Sequence, residues 1–227
     1  MSGNDLASPL PAAVQNKLLK ILAAKAQRGG EFCLPFDTAA FPLAVRKMFP
    51  QFSRYVLEIG CGWGEYTRAY AQMHRDTLVV AIEKKLARVL ASSRAQRLDG
   101  TNNIRYLVLD LAWFFDGVFA AGQFDQVIIN FPDPWPKARH HKHRFISPGF
   151  AASLRRVVRK GARLTFATDN YPYAREAMET FEASTQWRNA VAPWIAVGEI
   201  TGRPRSYFET LHRNEGAPIY FLQYDSL

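Results

Sequence analysis

Five carboxylates stand at or just past the ends of apolar runs: Glu58, Glu83, Asp110, Asp133 and Asp169. In a parallel sheet, residues just beyond the strand carboxyl ends face the crevice where such sheets take their ligands. Several acids on one rim repel one another unless a cationic or hydrogen-donating ligand sits among them. Glu58 also opens the run Glu58-Ile59-Gly60-Cys61-Gly62-Trp63-Gly64. Its alternating glycines let the backbone turn tightly and approach a ligand closely. No Gly-Lys-Ser/Thr follows, so the loop is not a phosphate-binding P-loop, and its G-x-G-x-G spacing differs from the dinucleotide pattern. Glu83, about 20 residues further on, is placed to accept both hydroxyls of a ribose. Asp110 can accept from an adenine amino group.

The second chemical stretch is Asn130 to Arg144, N-F-P-D-P-W-P-K-A-R-H-H-K-H-R. Pro132, Pro134 and Pro136 remove backbone donors and fix φ, so neither helix nor inner strand can continue. The result is a stiff loop that carries one acid (Asp133), one flat ring (Trp135), Lys137 and then a basic, histidine-rich run. Together they suggest a site that holds a base beside phosphates. The plain alternative is a Pro-rich surface turn followed by a solvated basic face. His140, His141 and His143 lack Cys or acidic neighbours, so a metal site is not expected there, and neutral hydrogen bonding to RNA fits them better.

These residues need elements to hold them. Strand-like apolar runs occur at 55–59, 77–82, 104–109, 124–129 and 163–167, with another near 218–223. Helical stretches at 65–74, 84–98, 148–160 and 172–184 separate most of them. Alternation of strand and helix predicts an α/β fold with a doubly wound, mainly parallel sheet covered on both faces. Ahead of it, helical spacing at 14–27 and a short helix near 43–48 predict an N-terminal helical extension over 1–52, followed by one domain over 53–227. Cys61 is expected to be a small filler, and Trp63 to pack at the loop edge.

The 227 residues are 48% hydrophobic, enough for a full core. No apolar stretch approaches the ~20 residues of a membrane span. Two cysteines without metal spacing and no secretory signal at the start point to a reduced, cytoplasmic setting. The net charge is +9, and its placement is uneven. Between Lys137 and Arg163 lie nine Lys or Arg and no acid; the rest of the chain holds 20 of each sign. That pattern suits a polyanionic partner, most simply nucleic acid.

The glycine loop with Glu58, Glu83 and Asp110 in strand order resembles the class I S-adenosylmethionine-dependent methyltransferases, whose sheet is seven-stranded and Rossmann-like. The resemblance implies that Glu58, Gly60, Gly62 and Gly64 lie against the methionine part of S-adenosylmethionine, Glu83 at its ribose and Asp110 near its adenine. Asn130 and Asp133 would complete the cofactor side. The loop F-P-D-P-W-P-K-A-R-H-H-K-H-R is similar to the signature of the bacterial tRNA (guanine-N7)-methyltransferases. Thr168-Asp169-Asn170-Tyr171-Pro172-Tyr173-Ala174 resembles a second piece of that family, and Ser206-Tyr207-Phe208-Glu209 stands where it carries Thr-Lys-Phe-Glu. The likeness covers roughly residues 55 to 209.

It implies methyl transfer to N7 of a guanine in tRNA, with Asp133 as the active-site carboxylate. Lys137, Asp169, Ser206, Tyr207, Phe208 and Glu209 would contact substrate. Arg139, His140, His141, Lys142, His143 and Arg144 would contact RNA. Two departures bear on the identity of the RNA. Tyr207 replaces the family lysine, and 210–216 replaces an Arg-Gly and glycine-rich stretch. The competing enzyme is an amino-group methyltransferase acting on adenine or cytosine, which uses an N/D-P-P-aromatic loop at the corresponding place. A non-catalytic RNA-binding protein on the same fold is the other alternative. Monomer and homodimer stay equally open.

Overall fold

A computed structural model describes residues 12–34, 42–110, 117–135, 144–191 and 195–227. The parallel part of the sheet is formed by β1 (Arg54–Ile59), β2 (Thr77–Glu83), β3 (Ile104–Val108), β4 (Phe124–Asn130) and β5 (Val158–Thr168). Every residue of β2 is buried, and so are five of the six in β1. Strands covered on both faces read as continuous apolar runs, which is why the sequence shows them plainly. Neighbouring residues still divide between faces. Leu57, Val80, Ile82, Val127 and Ile129 enter one core, whereas Val56, Val79, Ala81, Tyr106 and Ile128 enter the other.

The helices α3 (Glu65–Met73), α4 (Leu86–Asp99), α5 (Pro148–Val157) and α6 (Tyr171–Glu182) alternate with these strands. α5 and α6 each start with a proline in the first turn and a side-chain cap: Ser147 Oγ accepts from Phe150 N at 3.2 Å, and Asn170 Oδ1 accepts from Tyr173 N at 2.9 Å. Such caps satisfy amide donors that the helix itself leaves unpaired. α5 ends sooner than the predicted 160, because Val158 already pairs with Phe124 as the start of β5.

The strand order is β3-β2-β1-β4-β5-β8-β6, with β8 (Tyr220–Ser226) antiparallel to β5 and β6 (Trp187–Asn189) antiparallel to β8. β7 (Ala196–Val197) pairs with β8 off this path, so the described sheet has eight strands, seven of them in the main order. Three elements escaped the sequence patterns: β6, β7 and α7 (Tyr207–Asn214). The strands of three and two residues are too short to show a period. Between β1 and β4 the winding reverses, and a doubly wound sheet opens its crevice there.

The leading segment is laid along the β3 edge. α1 (Ala12–Gly29) packs on α4 and β3, and α2 (Val45–Met48) follows. Leu34 N donates to Tyr106 O and Tyr106 N to Phe32 O, both at 2.8 Å. These bonds cover strand-edge groups that would otherwise offer a template for another chain. Among the described residues, no helix is long and apolar enough to cross a membrane.

Candidate active site

The carboxyl ends of the parallel strands open onto one cleft of about 940 Å³. Glu58, Gly60, Gly62, Glu83 and Asp110 line its β1–β3 side; Asn130, Asp133, Asp169, Ser206, Tyr207 and Phe208 line the other. Sequence positions more than 140 apart therefore meet on one rim. Gly64 is not among the lining residues. It caps α3 at φ 75°, and a Cβ there would come within 2.8 Å of Ser92 Oγ, so its place is in starting the helix.

On the β1–β3 side two of the acids, Glu58 and Glu83, are already engaged by the chain. Glu58 is 2% exposed and accepts from Thr67 Oγ1 at 2.6 Å. Burial pushes its carboxyl up to about 7; the Thr67 bond opposes this and nearby Glu65 adds to it. Glu83 Oε1 accepts from Lys85 N at 2.8 Å, and Oε2 from Gly62 N at 3.2 Å, which ties the end of β2 to the glycine loop. Arg88 pairs with Glu83 at 3.5 Å and lies 5.7 Å from the Trp63 ring. Trp63 was expected to pack at the loop edge. It is instead 54% exposed and lines the cleft. Cys61 is buried in the core, as a small filler would be.

The other side is built from a strained loop and a clamped helix. Among the described residues, the only non-glycines at positive φ are Phe131 (47°) and Trp135 (43°), which flank Asp133. Each such residue costs on the order of 1 kcal/mol or more and persists only where the surroundings impose it. Phe131 N still donates to Ala167 O at 2.8 Å, so the strain begins just as the β4–β5 ladder ends. Asp133 is exposed within the cleft. Asn130 is the opposite case: its Oδ1 and Nδ2 are both buried and have no partner among the described residues. Buried polar groups are rarely left so, and an orphaned amide in a cleft lining points to a missing ligand.

Arg144 departs from the expectation that it grips RNA with its neighbours. It is 8% exposed, its Nε donates to Pro134 O at 2.6 Å, it pairs with Glu176, and its guanidinium lies 4.8 Å from the Tyr173 ring. It fastens the loop's exit to its entry. Lys137, Arg139, His140, His141, Lys142 and His143 lie outside the described residues.

Glu209, expected at the substrate, is also placed differently. It is 1% exposed, is not among the lining residues, and its carboxylate pairs with Arg203 and Arg213. Ser206 Oγ accepts from Glu209 N at 3.1 Å and caps α7. Ser-x-x-Glu is a helix-start pattern, and that signal could have revealed α7 in the sequence. His212 was missed too; it lies four residues after Phe208, on the same face of α7, and its Nε2 is 3.6 Å from Asp169.

Residues 52–222 match a family model described as "Putative methyltransferase". The tRNA (guanine-N(7)-)-methyltransferase of Leptospira interrogans serogroup Icterohaemorrhagiae serovar Lai (strain 56601) is 34% identical over 197 residues, covering 83% of this chain and 90% of that protein. The enzyme of the same name from Xanthomonas axonopodis pv. citri (strain 306) is 34% identical over 189 residues, covering 83% and 72%. The chain belongs to the tRNA (guanine-N(7)-)-methyltransferase family. Among solved structures, the 16S rRNA methyltransferase KamB matches with a TM-score of 0.59 at 18% identity, over 80% of this chain and 92% of that one. That likeness is one of fold, the Rossmann-like class I architecture.

In this member of the tRNA (guanine-N(7)-)-methyltransferase family, the cleft presents groups that match the parts of S-adenosylmethionine. Gly60 and Gly62 hold φ of 78° and 59°, and a Cβ at either would meet nothing within 4 Å, which leaves an open cradle. The acids offer acceptors to an ammonium, ribose hydroxyls and an adenine amine. Asn130 offers a donor and an acceptor that the described chain leaves unused. The residues fit the cofactor.

Proposed function

We propose that this protein transfers a methyl group from S-adenosylmethionine to N7 of a guanine in tRNA. The observation that carries this is Asp133, an exposed acid on the strained loop after β4, in the same cleft as the orphaned amide of Asn130. When bound, the cofactor supplies an electrophilic methyl on a sulfonium. Guanine N7 bears a lone pair and no proton, so no strong base is needed; placement and charge stabilisation are. Asp133 accepts from guanine N1–H and the exocyclic amine, which aims N7 inward, and its charge favours the cationic methylated ring. Glu58, Gly60, Gly62, Glu83, Asp110 and Asn130 hold the cofactor in this reading. Asp169, Ser206, Tyr207 and Phe208 face the substrate, and Lys137 takes a phosphate or the base carbonyl. The run from Arg139 to His143 grips RNA. Arg144 and Glu209 position the elements that carry these groups.

We assign the methyltransferase domain to residues 53–227, with 1–52 as its leading segment, and place the protein in the cytoplasm, where its tRNA substrate and two reduced cysteines belong. Bulk tRNA incubated with labelled S-adenosylmethionine and digested to nucleosides tests the activity. Labelled 7-methylguanosine is expected, and 6-methyladenosine or a methylcytidine would overturn it in favour of amino-group transfer. Calorimetry with S-adenosylmethionine separates both from an inert RNA-binding protein, which would give no heat.

A further inference from the structure

The mouth of the cleft carries bare aromatic surface. Tyr207 and Phe208 are 60% and 51% exposed and line the cleft from the first turn of α7. They stand on a rigid backing. Phe208 lies 6.3 Å from Phe131 and 6.4 Å from His212, and Phe131 lies 5.7 Å from His212 at 26°. Tyr207 meets Phe208 edge-on at 5.4 Å. Phe131 joins this cluster from a strained φ of 47°, which links the loop to α7. The helix is held in turn by the Ser206 cap and by Glu209 between Arg203 and Arg213.

The two exposed rings are planar and uncharged. The first turn of α7 has no cation, and the nearby Arg205 is paired with Glu199 at 2.9 Å. A phosphate reader would need charge; a ring reads a base face. The reacting guanine is assigned to Asp133, which leaves these rings for another part of the RNA. We propose that Tyr207 and Phe208 form a stacking subsite for the unpaired nucleobase flanking the target guanine, at the position where the family carries a lysine. The inference rests on tRNA being the substrate. An unpaired base splayed out of an RNA loop presents the face this subsite takes.

Bulk tRNA binding to the full chain, measured by filter retention from low to moderate salt, tests it with Tyr207→Leu, Tyr207→Trp and Tyr207→Lys. Stacking on an aromatic is worth about 1–3 kcal/mol per base, so Tyr207→Leu should weaken binding about tenfold. Tyr207→Trp should stay within about threefold of the parent. Tyr207→Lys should bind with a salt slope steeper by roughly one phosphate and should lose the difference at the higher salt. Phe208→Leu provides a second variant with the same expected weakening. Parent-like binding of Tyr207→Leu, equal weakening by Tyr207→Trp, or recovery by lysine at every salt would overturn the subsite. The assay is independent of catalysis. A parent that forms no 7-methylguanosine yet shows this pattern refutes the activity and keeps the subsite; the reverse result refutes the subsite alone.

Discussion

The two sides of the cleft differ in how much of their chemistry the folded chain has already consumed. On the β1–β3 side, Glu58 and Glu83 are 2% and 4% exposed, and their oxygens accept from Thr67, Gly62 and Lys85. On the β4–β5–α7 side, Asp133 is exposed, the Asn130 amide is orphaned, and two aromatic rings stand half bare. The first side is a finished seat in the core, suited to a small cofactor of constant shape. The second is assembled from a strained loop and a clamped helix, and it stays open enough to admit part of a macromolecule. Preorganisation is bought on the first side with buried charge and on the second with backbone strain.

Asp133→Ala attacks the open side where the effect is largest. Loss of a preorganised electrostatic contact to the reacting group costs about 10²- to 10³-fold in rate. Single-turnover methyl transfer to tRNA should fall by at least about that factor, while S-adenosylmethionine binding stays measurable by calorimetry. Activity near the parent would mean that the exposed acid is only a rim charge, and the contrast between the sides would lose its chemical meaning.

Arg144→Ala should act next most strongly, and at a distance. The side chain joins Pro134 O, Glu176 and the Tyr173 ring, so its loss frees the loop that carries Asp133. A misplacement near 1 Å costs up to about 100-fold, so a fall of roughly 10- to 100-fold in kcat is expected. The salt slope of tRNA binding should not change. A changed slope with normal kcat would return Arg144 to the RNA-gripping run.

The finished side makes a prediction in pH. Burial raises the Glu58 carboxyl to about 7, above its unfolded value of 4.5. Its contribution to folding is therefore complete below about pH 4.5 and is lost as pH rises through about 7. The span corresponds to roughly 3 kcal/mol at most. Glu58→Gln should unfold at a higher temperature than the parent at pH 8 without cofactor, and near the parent at pH 4.5. The same variant should bind the cationic cofactor more weakly. For the parent, cofactor affinity should fall as pH drops below about 7, because a neutral Glu58 attracts a cation less. No pH dependence in calorimetry between pH 6 and 8 would break this account of the seat.

The finished side was also the legible one. Strands buried on both faces announce themselves as apolar runs, and acids at their ends follow in order, so Glu58, Glu83 and Asp110 could be placed from the sequence. The open side depends on facts that adjacency conceals. Arg144 follows Lys142 and His143 in a basic run, yet it turns inward to Glu176, more than 30 positions away. Ser206-Tyr207-Phe208-Glu209 read as one contact segment, but a helix sends its neighbours in different directions. Two residues are bare in the cleft, while Ser206 caps and Glu209 is buried. A β-strand of two residues such as β7 carries no period at all.

Charge shows the same limit and yields the smallest prediction. The nine cations from Lys137 to Arg163 form one block in the sequence, but the fold divides them. Arg159 pairs with Asp125 at 3.3 Å near the start of β5, whereas the cleft lies past its end at Thr168. Along β4 the two levels are marked by Asp125 and by Asn130, the partner of Ala167; at ~3.3 Å per residue they are roughly 17 Å apart, beyond the ~8–10 Å over which exposed charges interact at physiological salt. Arg163 is likewise turned to Asp225 at the β5–β8 pair. Arg159→Ala should therefore leave the salt slope of tRNA binding unchanged, whereas Arg139→Ala with Lys142→Ala should lower it by about two phosphates' worth. Equal slopes for all three proteins would reduce the loop run to a solvated face. A slope lowered by Arg159→Ala instead would show that RNA wraps to the far end of the sheet, and the open side of the cleft would then be only part of a much larger interface.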